Sequence, residues 1–135
     1  MPLITFTDKG FYCEKGDFFI DPLKPVEKAL ITHGHSDHAR QGHKFYLCQQ
    51  QTEKVIRFRL GEHINVQTTR YGEKVLINGI AVTFYPAGHI PGSSQILIEH
   101  QGEKWVISGD YKLENDGISE PFVPVKCDHF VTEST

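Results

Sequence analysis

Three imidazoles and a carboxylate fall within six positions of this chain, in Thr32-His33-Gly34-His35-Ser36-Asp37-His38-Ala39, directly after the apolar run Ala29-Leu30-Ile31. Neutral imidazole nitrogens and carboxylate oxygens are the donors that zinc, iron and manganese accept at about 2.0–2.2 Å, so this density points to a divalent metal. The spacing adds to that. His33 and His35, two residues apart, leave a strand end on the same side. Asp37 and His38 follow where the chain is expected to turn into a helix, so the two pairs can face two neighbouring ions. The competing reading is an exposed polar loop that collects three of the chain's eight histidines by chance.

Two further positions have the same chemistry. His89 sits in the Gly/Pro-rich stretch Pro86-Ala87-Gly88-His89-Ile90-Pro91-Gly92-Ser93-Ser94, where small residues let the backbone come close to a metal or ligand. Asp110 follows the strand-like Lys104–Ser108 at Ser108-Gly109-Asp110, and strand ends collect ligands because the loops there are free to converge. Asp21, in Asp21-Pro22, reads first as a turn-forming residue, with a group that reaches a ligand histidine as the rival.

The elements that must carry these residues are short. Leu3–Thr7, Phe11–Cys13 and Asp17–Ile20, separated by Asp8-Lys9-Gly10 and Glu14-Lys15-Gly16, read as an antiparallel meander. Pro22 and Pro25 force an extended crossing to a strand over Val26–Thr32. A short helix through Ala39-Arg40-Gln41, stopped at Gly42, and a strand over Lys44–Cys48 are expected next. Gln49–Leu60, with Val55, Ile56 and Leu60 at helical spacing and Gly61 after it, predicts an amphipathic helix on a sheet. Arg57 and Arg59 read as its solvated face, with phosphate binding as the rival. Strands follow at Ile64–Val66, Glu73–Ile77 and Ile80–Tyr85, the last two joined by an Asn78-Gly79 turn of type I′. Gln95–Ile98, Lys104–Ser108 and Asp128–Thr132 complete the strands.

At 135 residues with 39% hydrophobic and 23% charged positions, the chain has ordinary globular composition and one domain's worth of length. No apolar run approaches a membrane span and the N-terminus lacks a signal peptide, so a cytoplasmic protein is expected. Cys13, Cys48 and Cys127 lack Cys-x-x-Cys spacing and read as small buried hydrophobes. A net charge of −3 offers no basic footprint for nucleic acid, although two divalent cations would add four positive charges at the site itself.

With His33-x-His35-x-Asp37-His38, then Gly88-His89-Ile90-Pro91-Gly92-Ser93, then Ser108-Gly109-Asp110 in that order, the chain resembles the metallo-β-lactamase superfamily throughout. Gly-His-Ile-Pro-Gly-Ser and the terminal Thr132-Glu133-Ser134-Thr135 look like the nucleic-acid-processing branch with an inserted β-CASP domain, and Asp21-Pro22 with Leu30 to Ala39 looks like its DNA-ligase-associated exonucleases. The resemblance implies an α+β fold, the N-terminal portion of a four-layer αβ/βα sandwich spanning residues 1–135. It implies two divalent metal ions, zinc or manganese: His33, His35 and His89 on one, Asp37 and His38 on the second, and Asp110 between them. Asp21 would orient the ligand histidines, and Glu133 would support the reacting centre together with the catalytic Asp37 and Asp110.

Phosphodiester hydrolysis of DNA or RNA, with nucleic acid, DNA ligase and helicase as partners and no membrane, is the function so implied. A thioester or lactam hydrolase and a non-catalytic fragment are the alternatives. The family's last ligand histidine and the β-CASP domain are expected beyond Thr135. The 135-residue piece is therefore expected to leave an apolar sheet face wet, to self-associate and to lack substantial activity.

Overall fold

The computed structural model of the chain describes residues 2–35, 38–88, 90–109 and 124–132. Among the described residues, eleven strands form two sheets. Strands β1 (Thr5–Thr7), β2 (Gly10–Cys13), β3 (Phe18–Ile20), β4 (Lys28–Leu30), β5 (Phe45–Gln49) and β6 (Val66–Thr69) lie side by side in that order. The first three pair antiparallel, as the meander predicts, and β3 to β6 run parallel. The second sheet has the order β11-β10-β9-β8-β7, built from β7 (Lys74–Ile77), β8 (Ile80–Pro86), β9 (Ser94–His100), β10 (Glu103–Ser108) and β11 (His129–Thr132). Its members pair antiparallel except β11, which runs parallel to β10.

Period-two alternation decides how the layers stack. Leu30 and Leu47 point into one core with Cys13, Phe18 and Ile20 from the first sheet and Ile80, Val82, Phe84, Ile96, Ile98 and Ile107 from the second. Their neighbours Ala29, Ile31, Tyr46 and Cys48 point the other way, against Ile56 and Leu60 of helix α1 (Gln50–Leu60). Strands buried on both faces are the mark of a parallel sheet with a covering helix, and β5-α1-β6 is such a crossover. Among the described residues the layers are thus helix on sheet on sheet, part of an αβ/βα sandwich. The face of the first sheet turned toward the second is closed, because the second sheet supplies its own apolar row. Large exposed apolar residues of that sheet are Leu76 and Phe130.

Local rules account for the boundaries. Gln49 caps α1 by accepting from the Gln51 N–H at 2.7 Å, and Gly61, at φ +111°, ends it. Asn78 and Gly79, at φ +50° and +82°, make the type I′ turn that the hairpin demands. The expected helix at Ala39–Gln41 is absent. His38 and Ala39 N–H both close on the His35 carbonyl, at 3.0 and 2.8 Å, and Gly42 at φ +98° turns the chain outward after this one turn. The Val26–Thr32 strand shortens to Lys28–Leu30, and Leu3 and Ile4 join the core without joining β1. Cys13 and Cys48 are free and buried, and burial pushes the Cys48 thiol up to about 12, with Glu53 adding to the shift and Arg57 opposing it. No helix among the described residues is long and apolar enough to cross a membrane.

The turn region carries a second buried imidazole. His43 is 7% exposed, packs on Tyr46 with ring centroids 5.1 Å apart, and accepts the Val26 N–H on Nδ1 at 3.2 Å. Burial pushes it down from 6.5 to about 4. A base with a depressed folded pKa is protonated first in the unfolded chain. Its contribution is therefore complete above about pH 6.5 and is lost as pH falls toward 4. Urea midpoints for wild type and His43→Gln across pH 4–6.5 test this: the variant should show the shallower slope, and equal slopes would contradict it.

Candidate metal centre

Parallel pairing of β3 and β4 brings their C-terminal ends to the same edge, with Ile20 opposite Leu30. The next residue after β3 is Asp21 and the next after β4 are Ile31, Thr32 and His33, so register alone delivers a carboxylate beside the histidine loop. Asp21 adopts φ +45° and its N–H bonds the Leu30 carbonyl at 2.9 Å. Left-handed backbone is tolerated by Asp better than by most side chains. Here it goes with a side chain held inward, 4% exposed.

Three donors meet that carboxylate. Thr32 N–H donates to Oδ1 at 2.8 Å, Thr32 Oγ1–H donates to Oδ2 at 2.5 Å, and His38 Nδ1 lies 2.7 Å from Oδ2. Thr32 Oγ1 is also 3.0 Å from His33 Nδ1. A hydroxyl has one proton, and this one goes to Asp21, so Thr32 must accept from His33 Nδ1–H. A carboxylate oxygen cannot donate, so His38 must carry its proton on Nδ1 as well. One buried Asp thereby fixes two tautomers, and in both rings the lone pair is left on Nε2, the nitrogen that can bind a metal.

The rings converge. His33, fully buried, lies 4.9 Å from the His35 ring at 81° and 4.2 Å from the His38 ring at 43°. His35 is exposed and His38 is 3% exposed. The second sheet closes on the same place. Ser94 N–H donates to the Thr32 carbonyl at 2.7 Å, and a Cβ on Gly109 would collide with the Thr32 hydroxyl and come to 3.3 Å from His33 Nδ1. The loop after β8 is tied by Tyr71 Oη–H to the Ser93 carbonyl at 2.7 Å and by Thr52 Oγ1–H to the Gly92 carbonyl at 3.0 Å.

Of the residues expected at this site, Asp21, His33, His35 and His38 are therefore together. Asp37, His89, Asp110 and Glu133 lie outside the described residues. Among the described residues, no three His, Cys, Asp or Glu side chains form a complete metal cage. The donor chemistry nevertheless fits a divalent ion, since the network fixes two buried imidazoles as Nε2 donors. Sequence reasoning missed Thr32, whose hydroxyl relays Asp21 to His33; a hydroxyl residue directly before the first histidine is the signal that was there. It also misread Arg59, which donates from Nη1 to the Gly34 carbonyl at 2.7 Å and to the Ala39 carbonyl at 3.2 Å. Arg57 pairs with Glu53 at 3.0 Å and caps the Glu62 and Ile64 carbonyls, so neither arginine is simply a solvated face.

No family model matches the chain. Along its whole length it is 31% identical to a protein of Opitutus terrae named as a probable DNA ligase, spanning 13% of that protein. Over 87% of its length it is 26% identical to a ribonuclease of Thermus thermophilus, spanning 33% of it. The fold superposes on a mutant metallo-β-lactamase of Cronobacter sakazakii with a TM-score of 0.51 and 13% identity, over 64% of this chain and 42% of that one. The fold is that of the metallo-β-lactamases. In it, the histidine loop sits where the strands of the first sheet end, and the second sheet's loops meet it from across the sandwich.

Asp21→Asn tests the tautomer assignment. An amide nitrogen in place of Oδ2 must donate to His38 Nδ1 and to Thr32 Oγ1, which turns the Thr32 proton toward His33. Both rings should then switch from Nδ1–H to Nε2–H, read by long-range ¹H–¹⁵N correlation spectra of the metal-free chain. Unchanged tautomers in the variant would contradict the network.

Proposed function

We propose that this chain builds the metal-binding corner of a divalent-metal-dependent phosphodiesterase acting on nucleic acid. The observation that carries the reading is the buried Asp21 carboxylate, which presets His38 directly at its Nδ1 and His33 through the Thr32 hydroxyl, both as Nε2 donors. The ligase and ribonuclease relatives support the substrate class. Since the chain spans only a minor part of either, the activity, substrates and partners of a whole protein are part of the proposal.

In this reading His33, His35, His89, Asp37, His38 and Asp110 would hold the divalent ions, and Glu133 would support the centre from outside the ligand set. Bound divalent ions, zinc or manganese, would acidify a water and offset charge on an attacked phosphorus. The chain's own contributions are separate from that. Asp21 holds the imidazoles in one tautomer, so no proton has to be expelled from Nε2 before ligation. The apolar core beneath His33 excludes water from one side, and Thr32 keeps the His33 ring from turning. Leaving the Thr32 and His38 donors without the Asp21 carboxylate would cost about 1–3 kcal/mol each, which marks the network as one cooperative unit.

Two measurements check the proposal. The purified chain should take up zinc, manganese or cobalt on titration. Expressed together with whatever coding sequence is contiguous with it, it should cleave a labelled single-stranded DNA or RNA oligonucleotide only when metal is supplied, with Asp37→Ala and Asp110→Ala each lowering the rate about 100-fold or more while melting stays near wild type. Hydrolysis of a thioester or β-lactam but of no oligonucleotide would contradict the substrate class. Near-normal cleavage by either variant would contradict the assigned carboxylates.

A further inference from the structure

Helix α1 packs Ile56 and Leu60 into the first sheet, and a neighbouring stripe does something different. Thr52, Val55 and Arg59, spaced three and four residues apart, share one side of the helix. Each touches a histidine-bearing loop. Arg59 Nη1 donates to two carbonyls, Gly34 at 2.7 Å and Ala39 at 3.2 Å, so a single guanidinium nitrogen joins the residue between His33 and His35 to the residue after His38. Val55 lies against Gly34 so closely that a Cβ there would sit 2.5 Å from Val55 Cγ1. At the other end of the stripe Thr52 Oγ1 donates to Gly92, in the loop that carries His89, and a Cβ on Gly92 would come to 2.5 Å from the same hydroxyl. Gly92 is at φ +85°, and at this point the loop presents its backbone to the helix.

The two loops thus belong to different sheets but are fastened to one helix. We propose that Arg59 and Thr52 are positioning residues of the metal site, holding the His33–His38 loop and the His89 loop on a single rigid strut so that the imidazoles are arranged before an ion arrives. The inference rests on the metal-site reading and adds to it the element that sets loop spacing. Its physical content is preorganisation. Fixing a loop residue costs about 1–2 kcal/mol of backbone entropy, and loops already ordered by α1 need not meet that cost on metal binding. Arg suits the task because its delocalised fork donates to two carbonyls at fixed geometry, and its charge needs no carboxylate partner when two carbonyl dipoles face it.

The experiment compares cobalt(II) binding, by titration and by the visible d–d spectrum, with thermal melting of the metal-free chain. Arg59→Ala should raise the cobalt Kd about 10-fold or more and alter the d–d band, the scale expected when a group that orients metal ligands is removed. Thr52→Val keeps the volume, loses the donor and should shift Kd in the same direction, which keeps the test alive should Arg59→Ala fail to fold. Arg57→Ala is the control: it loses an ion pair within the same helix and contacts to two carbonyls beyond its C-terminus, touches neither loop, and should lower the melting temperature without changing the spectrum. Wild-type affinity and spectrum in Arg59→Ala or Thr52→Val, or equal weakening in Arg57→Ala, would overturn the positioning role. A wild-type chain that takes up no cobalt would overturn the metal reading itself, and the inference with it.

Discussion

A carboxylate held out of water at the end of β3 must be matched by donors, and here the matching donors are the backbone and hydroxyl of Thr32 and the Nδ1 of His38. Because an ionised Asp oxygen accepts and a hydroxyl can give its proton once, the contacts to Asp21 and Thr32 put a proton on Nδ1 of both His38 and His33. From that constraint follow the tautomers of His33 and His38, the face each ring can offer to an ion, and the cost of disturbing any member. Buried polar networks of this kind are favourable only when every group is satisfied, so Asp21, Thr32, His33 and His38 stand or fall together.

The surrounding fold serves that constraint. Parallel register puts Asp21 next to Thr32, and the left-handed backbone at Asp21 goes with its inward-pointing carboxylate. The second sheet reaches the same point through the Ser94 N–H on the Thr32 carbonyl and through Gly109, where even a methyl group would strike the Thr32 hydroxyl. Alternation on β4 and β5 gives one face of the first sheet to the inter-sheet core and the other to α1. The helix then touches both loops from behind. A close-packed interior transmits displacement poorly in any graded way, so this nesting leaves the imidazoles few alternative positions.

Much of this is legible in the chain itself, for identifiable reasons. The histidine loop, the Gly88–Ser93 loop and the strand-terminal Ser108-Gly109-Asp110 stand out by residue type and spacing, and α1, the Asn78-Gly79 turn and the meander follow from local rules that act within a few residues. The resemblance to the metallo-β-lactamase superfamily located Asp21 beside the histidines, and the network supplies the physical cause. What stayed hidden depends on contacts far apart in sequence. Arg59 bonds a carbonyl 25 residues away, and nothing in its local context separates it from an ordinary helix-surface arginine. Thr32 is visible as a letter, but its role exists only once Asp21 is folded onto it. The helix expected at Ala39–Gln41, with Gly42 as its stop, does not form: the His38 and Ala39 N–H groups close on the His35 carbonyl in a single turn. The packing of the two sheets is likewise non-local: Ile80 to Ile107 meet Phe18, Ile20, Leu30 and Leu47 only once both sheets have formed.

The central claim is that the Asp21 network presents imidazole Nε2 atoms to a metal. X-ray absorption at the zinc edge of the zinc-loaded chain tests it most directly. The account predicts a first shell of nitrogen and oxygen only, at about 2.0–2.1 Å, with the outer-shell multiple scattering of at least two imidazole rings. A sulfur shell near about 2.3 Å, or an oxygen-only shell without imidazole scattering, would contradict it.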